Sequence, residues 1–192
     1  MTLEQIIAEY DLNGFWLEGG GTDKNTDHSY CPYYNQLFDS YRDRPADILE
    51  IGCWQGAFVL AMSKLMPQAR FTTIDIQDKF HQRILSMMPP GTVVNHQLVN
   101  AYAFSTLKLI EGQQFDVIID DGSHLIQDEL FVFYHYMPFV KPGGALIIED
   151  ISEETVKIVS AHIDPSLYAY KVVDVRWVKG RADDMIIEIR KK

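Results

Sequence analysis

The sequence has little cysteine, no surplus of positive charge and no long apolar run, and each shortage removes a class of function. Cys31 and Cys53 are the two cysteines in 192 residues, far apart and in no metal-type spacing. Neither a disulfide scaffold nor a thiolate metal site is expected, and a reducing cytoplasm suits the chain. Lysine and arginine total 17 against 27 acidic residues, a net charge of -10. So negative a surface is unsuited to a phosphate backbone, so nucleic acid is not an expected partner. No apolar stretch approaches the roughly 20 residues that cross a bilayer, so no membrane partner is expected either. The opening MTLEQIIAEYDLNGFW carries Glu4, Glu9 and Asp11 and no basic region, unlike a signal peptide. Repeats, low-complexity tracts and linker-like shifts are missing too. A soluble chain with one substantial core is the expectation.

What is present is an alternation. Short apolar or β-branched runs predict strands at 47–52, 70–76, 92–97, 115–121 and 144–150. Helical segments fall between them at 57–66, 79–87, 103–111 and 125–140. Strands alternating with helices imply a parallel sheet covered on both faces. Two further strand-like runs, 170–177 and 184–190, are joined by VKGRAD, too short for a crossover helix. They predict a hairpin and one antiparallel strand. The class is therefore α/β, with the Rossmann-like seven-stranded sheet of methyltransferases rather than the all-parallel sheet of dehydrogenases. Residues 46–192 would form that domain and 1–45 an N-terminal lid or cap. The segment 125–140 is apolar nearly all round, so either a subunit interface, making a homo-oligomer, or the N-terminal segment would cover it.

Ligands of such sheets collect at the carboxyl ends of the strands. The first strand runs into LEIGCWQGAF, where Gly52 and Gly56 allow tight turns and Glu50 supplies a carboxylate. Asp75 closes the second strand about 20 residues past the glycine turn, a position that accepts ribose hydroxyls. Trp54 stands where many adenosyl-binding loops carry a middle glycine. Asn100, Ala101 and Tyr102 follow the third strand. Tyr102 is open to two readings, a ring stacked on an adenine or an ordinary surface tyrosine.

The stretch FDVIIDDGSH ends the fourth strand in Asp120 and Asp121, and Glu149 and Asp150 end the fifth. Adjacent strands lie about 4.8 Å apart, so these carboxylates would converge and repel unless a cation joined them. Oxygen ligands without cysteine select Mg2+, Mn2+ or Ca2+. Alternation along a strand makes Asp120 and Asp121 point differently. Ser123 is an expected N-cap with His124 opening the next helix, whose dipole would keep the imidazole neutral and able to act as a general base. The bland reading makes His124 an early helix residue and the acids helix caps. Lys24, in the polar and aromatic segment GTDKNTDHSYCPYYNQLF, could offer a positive charge to a carboxylate or be an ordinary exposed lysine without a specific role.

Taken together, GTDK with H-x-Y, LEIG, IDI, DDGSH and KPGGALIIED resemble the class I S-adenosylmethionine-dependent methyltransferases. More narrowly, the chain is similar to the metal-dependent sugar O-methyltransferases of macrolide pathways and to the cephalosporin hydroxylase and rhamnosyl O-methyltransferase group. The resemblance implies S-adenosylmethionine at Glu50, Gly52, Asp75, Ala101 and Asp120, to which the reading of the loops themselves adds Gly56 and Tyr102. It also implies a divalent metal on Asp121, Glu149 and Asp150, and catalysis by His124 and Asp121 on a sugar or glycoside hydroxyl. The segment after Glu149-Asp150, ISEETVKIVS, departs from that group's polar and aromatic pattern. Two rivals stay open, a nicotinamide-dependent oxidoreductase of a nucleotide sugar and a non-catalytic binding module.

Overall fold

The computed structural model describes residues 1–14 and 18–192. Residues 15–17 of the expected N-terminal lid lie outside the described residues. Strands β1 (Ala46–Ile51), β2 (Ala69–Asp75), β3 (Val93–Leu98), β4 (Phe115–Asp120), β5 (Val140–Ile148), β6 (Tyr168–Asp174) and β7 (Met185–Lys191) form one seven-stranded sheet. Its order is β3-β2-β1-β4-β5-β7-β6, and β7 alone runs antiparallel to its neighbours. The order reverses between β1 and β4, which places a crevice at their carboxyl ends.

Alternation along each central strand divides the core in two. Ile48, Val117, Ile119, Ala145 and Ile147 face one cluster; Leu49, Ile51, Ile118, Leu146 and Ile148 face the other. Helices α1 (Leu3–Glu9), α2 (Cys31–Phe38) and α3 (Ala57–Leu65) cover the first face. With α1 packed on its outer side, α3 is buried nearly all round, which its run AFVLAMSKL permits. α4 (Gln82–Met87) packs beside α3. The second face lies under α5 (Phe104–Leu107), α6 (Ile126–Tyr136) and α7 (Glu153–Ala161).

Several expectations need correction here. The N-terminal segment does not cover α6, because Leu3, Ile6, Ile7, Tyr30, Tyr34 and Phe38 are buried on the opposite face; α7 packs beside α6 instead. β5 begins four residues early, since KPGG continues the strand through an irregular register against β4. Trp177 is not a strand residue. It belongs to a single helical turn, α8 (Arg176–Lys179), that Gly180 ends in a left-handed conformation. α7 has a plain signal, Ser152 before two glutamates, and its hydroxyl accepts from the Thr155 amide at 3.1 Å.

Gly52 shows why the crossing of β1 and β4 needs glycine. Its φ is +78°, and a Cβ there would collide with the carbonyl oxygen of Asp121. Gly52→Ala should therefore destabilise the domain by at least ~2 kcal/mol, read as a lower urea midpoint. An unchanged midpoint would contradict this account of the strand crossing.

Candidate active site

At the reversal point the strand ends enclose a cleft of about 740 Å³. One half is lined by Gly52, Trp54, Asp75, Ile76, Val99, Asn100, Ala101 and Tyr102, the other by His28, Asp121, His124, Asp150 and Arg181. Both halves of the expected chemistry thus share one opening.

In the first half, Asp75 accepts from the Trp54 amide and the Gln77 amide, each at 2.8 Å. Trp54 itself has φ +48°, the conformation for which related loops use glycine. Its ring lies 3.7 Å from the Lys79 ammonium, measured to the centroid. Ile76 is 69% exposed and with Val99 offers apolar walls. Glu50 and Gly56 do not line the cleft. Glu50 is buried beneath its floor with Oε2 lacking a hydrogen-bond partner, and burial pushes its carboxyl up to about 8. Gly56 is the N-cap of α3 at φ +80°, and a side chain there would strike Phe80.

In the second half, strand parity sorts the acids. Asp120 points toward the α6 face, where it accepts from the Tyr102 hydroxyl at 3.0 Å; burial first, against that hydrogen bond, pushes its carboxyl up to about 7. The Tyr102 hydroxyl in turn accepts from the Ser123 amide at 2.8 Å. Tyr102 is therefore pinned in the wall of the cleft. Asp121 and Glu149 share the opposite face. There Lys24 takes the first of its two readings: it is 1% exposed, and its ammonium donates to Asp121 Oδ2 at 2.5 Å and pairs with Glu149 Oε2 at 2.7 Å. Burial raises the carboxyls of Asp121 and Glu149, and Lys24 opposes the rise in both.

Glu149 is fully buried and receives the Tyr34 hydroxyl on its other oxygen. Asp150 turns back toward the cleft through φ +55°. It accepts from the Tyr30 hydroxyl at 2.7 Å, and His28 Nδ1 lies 3.2 Å from both Asp150 and Asp184. Single oxygens of Asp121 and Asp150 and a ring nitrogen of His124 lie within 4.8 Å of one another. Of the three expected metal ligands, Asp121 and Asp150 face the cleft with His124, and Glu149 faces Lys24. The sequence marked this segment as a lid and Lys24 as a possible charge for a carboxylate, without assigning His28, Tyr30 and Tyr34 to particular acids.

His124 is not in a helix. α6 starts at Ile126 with Leu125 as its cap residue, and His124 adopts φ +54°. Ser123 is not the N-cap; its hydroxyl bonds Asp128 at 2.6 Å and accepts from the Leu125 amide at 3.3 Å. The imidazole is still held below its ordinary 6.5, chiefly by burial, with Asp150 opposing and Lys24 assisting. The cause is desolvation rather than a helix end.

A family model described as a methyltransferase domain matches residues 49–151. The chain belongs to this methyltransferase-domain family. The match runs from β1 to just past Asp150 and so contains Asp75, Tyr102, Asp121, His124 and Asp150, while His28 and Arg181 of the cleft lie outside it. Among curated relatives, the demethylmacrocin O-methyltransferase of Streptomyces fradiae is 32% identical over 134 residues, covering 65% of this chain and 32% of that protein. The mycinamicin VI 2''-O-methyltransferase of Micromonospora griseorubida is 30% identical over 131 residues, with the same coverage of 65% and 32%. The matched part thus spans about a third of those relatives. A solved methyltransferase of the mycinamycin biosynthetic pathway, in complex with Mg and SAH, aligns at a TM-score of 0.70 and 19% identity, over 100% of this chain and 55% of that one. The likeness confirms the methyltransferase fold. Membership in the family removes the nicotinamide oxidoreductase reading. Among the described residues no helix is long and apolar enough to cross a membrane.

The His124 side chain is 37% exposed, so its proton exchanges with solvent and its titration tests the desolvation assigned to it. In the metal-free methyltransferase domain its imidazole should titrate below 6.5 by NMR, so the neutral ring persists at pH 7 and is lost only on acidification. Asp150→Asn should lower that value further, because the Asp150 charge favours imidazolium. Titration at or above 6.5 would contradict the assigned environment.

Proposed function

We propose that the chain transfers the methyl group of S-adenosylmethionine to a hydroxyl of a small-molecule sugar or glycoside, with a divalent cation at its carboxylate cluster. The observation that carries this reading is the single cleft that joins Asp75, Ala101 and Tyr102 to Asp121, His124 and Asp150. The curated relatives, named as O-methyltransferases of macrolide and related compounds, support the class of acceptor.

The residues fit both groups. On the cofactor side, Asp75 offers its carboxylate to ribose hydroxyls, Ile76 and Val99 offer apolar walls to a flat base, and Glu50 keeps a buried oxygen without a partner below. On the metal side, Asp121 and Asp150 supply the hard oxygen donors that Mg2+, Mn2+ or Ca2+ prefers, with Glu149 as the third carboxylate behind them. Bound there, the ion would supply positive charge that lowers the pKa of an acceptor hydroxyl.

The rest is done by the chain. His124, neutral near pH 7, takes the hydroxyl proton on a ring nitrogen as the acceptor oxygen bonds to the methyl carbon. Bound S-adenosylmethionine would supply the methyl carbon and keep the electron pair of its carbon–sulfur bond as a neutral thioether. Tyr30 and His28 hold Asp150 in place, and Tyr102 holds the backbone at Ser123 beside the base. Much of the acceleration comes from alignment, because the sulfonium donor is already activated. A segment of residues 20–30 over the acids, and the domain of residues 46–192 beneath, make the lid and body of this reading.

Calorimetry with S-adenosylhomocysteine should show binding to wild type and to His124→Ala within about threefold. On a panel of glycosides, His124→Ala should lose at least ~100-fold in turnover, and EDTA should abolish it. Wild-type turnover by His124→Ala would remove the base assignment. Absence of S-adenosylhomocysteine binding would remove the reading altogether.

A further inference from the structure

We infer that Lys24 is a built-in cation of the carboxylate site that sets its charge to suit a divalent ion. The inference rests on the metal reading of that site. Lys24 Nζ lies 2.5 Å from Asp121 Oδ2, 2.7 Å from Glu149 Oε2 and 3.8 Å from Asp23, while the residue is 1% exposed. An ammonium so far from water is stable only with carboxylates around it. The rings of Tyr30 and Phe58 flank it at 5.9 and 5.8 Å.

The allocation of oxygens is what matters. Glu149 gives one oxygen to Tyr34 and the other to Lys24. Asp121 gives Oδ2 to Lys24, and its Oδ1 lies 3.9 Å from His124 Nε2. Asp121, Glu149, Asp150 and Lys24 carry a formal charge of −2, and Asp23, 3.8 Å from the ammonium, makes it −3. A divalent ion brings that to −1. Without the ammonium the same acids carry −4, which holds a divalent ion more tightly and suits a trivalent one better still. Lys24 is thus a positioning residue and no part of the proton transfer.

The same residue's backbone ties its segment together. The Lys24 carbonyl accepts from the Tyr30 amide at 3.1 Å and from the Cys31 thiol at 3.4 Å, and the Tyr30 hydroxyl donates to Asp150.

Binding of Mn2+ alone, by electron paramagnetic resonance, and of Tb3+ alone, by luminescence, tests this in the full chain. The variants are Lys24→Met and Lys24→Gln, the second keeping a polar contact to both acids should the first fail to fold. The Tb3+-to-Mn2+ affinity ratio should rise about tenfold or more in either variant, with Mn2+ itself bound more tightly, whereas Lys24→Arg should stay within about threefold of wild type. An unchanged ratio in a folded variant that still binds Mn2+ overturns the role of Lys24 and leaves the metal reading standing. No Mn2+ binding by wild type or variants overturns both.

Discussion

The buried ammonium of Lys24 between Asp121 and Glu149 is the contact on which the arrangement of this site depends. Two acids at the ends of adjacent parallel strands, on the same face of the sheet, repel at close range. Lys24 turns that repulsion into a clamp, and the clamp brings the N-terminal segment across the sheet edge. Tyr34 to Glu149, Tyr30 to Asp150 and Tyr33 to Glu188 repeat the pattern, each a buried tyrosine donating to an acid of the sheet side. Removing one partner from such a set leaves a charge in low dielectric, a loss of about 3–5 kcal/mol in comparable buried pairs. The apolar packing of α1 and α2 on α3 holds the segment broadly; the polar contacts fix it over the acids.

Backbone conformation marks the same place. Trp54, His124 and Asp150 have φ values of +48°, +54° and +55°, and all three line the cleft. Such conformations cost ordinary residues roughly 1–3 kcal/mol and persist where the surroundings hold them. Here each turn follows the end of β1, β4 or β5 and swings a side chain over the sheet edge. Asp150 shows the effect best: parity alone would send it away from Asp121, and the turn brings it back beside His124.

The sequence carried the sheet well, because buried strands such as DVII and ALII have no alternative to a covered parallel ladder, and the short VKGRAD link forces a hairpin. It also carried the acids, whose opposite facing at Asp120 and Asp121 follows from a period of two. It left their partners open. Lys24 read equally as a charge for some carboxylate or as an exposed loop lysine, since a pairing across 97 residues of chain leaves no local pattern. Ser123 had the composition of an N-cap and bonded Asp128 instead, so the helix began later and His124 fell in a turn. Gly52 and Gly56 were read as tight turns with close approach to a ligand; both do turn through positive φ, and a side chain at either would also strike the Asp121 carbonyl or Phe80. Glycine near a site signals close approach without saying of what.

One ion meeting carboxylates that follow β4 and β5, within reach of His124, is the centre of the proposed chemistry. A crystal structure of the chain grown with Mn2+ and S-adenosylhomocysteine, with anomalous data collected for manganese, tests that most directly. The account predicts one strong anomalous peak between Asp121 and Asp150, on the His124 side, with the nucleoside in the half of the cleft lined by Asp75 and Tyr102. A structure with S-adenosylhomocysteine bound and no manganese at those acids would contradict it.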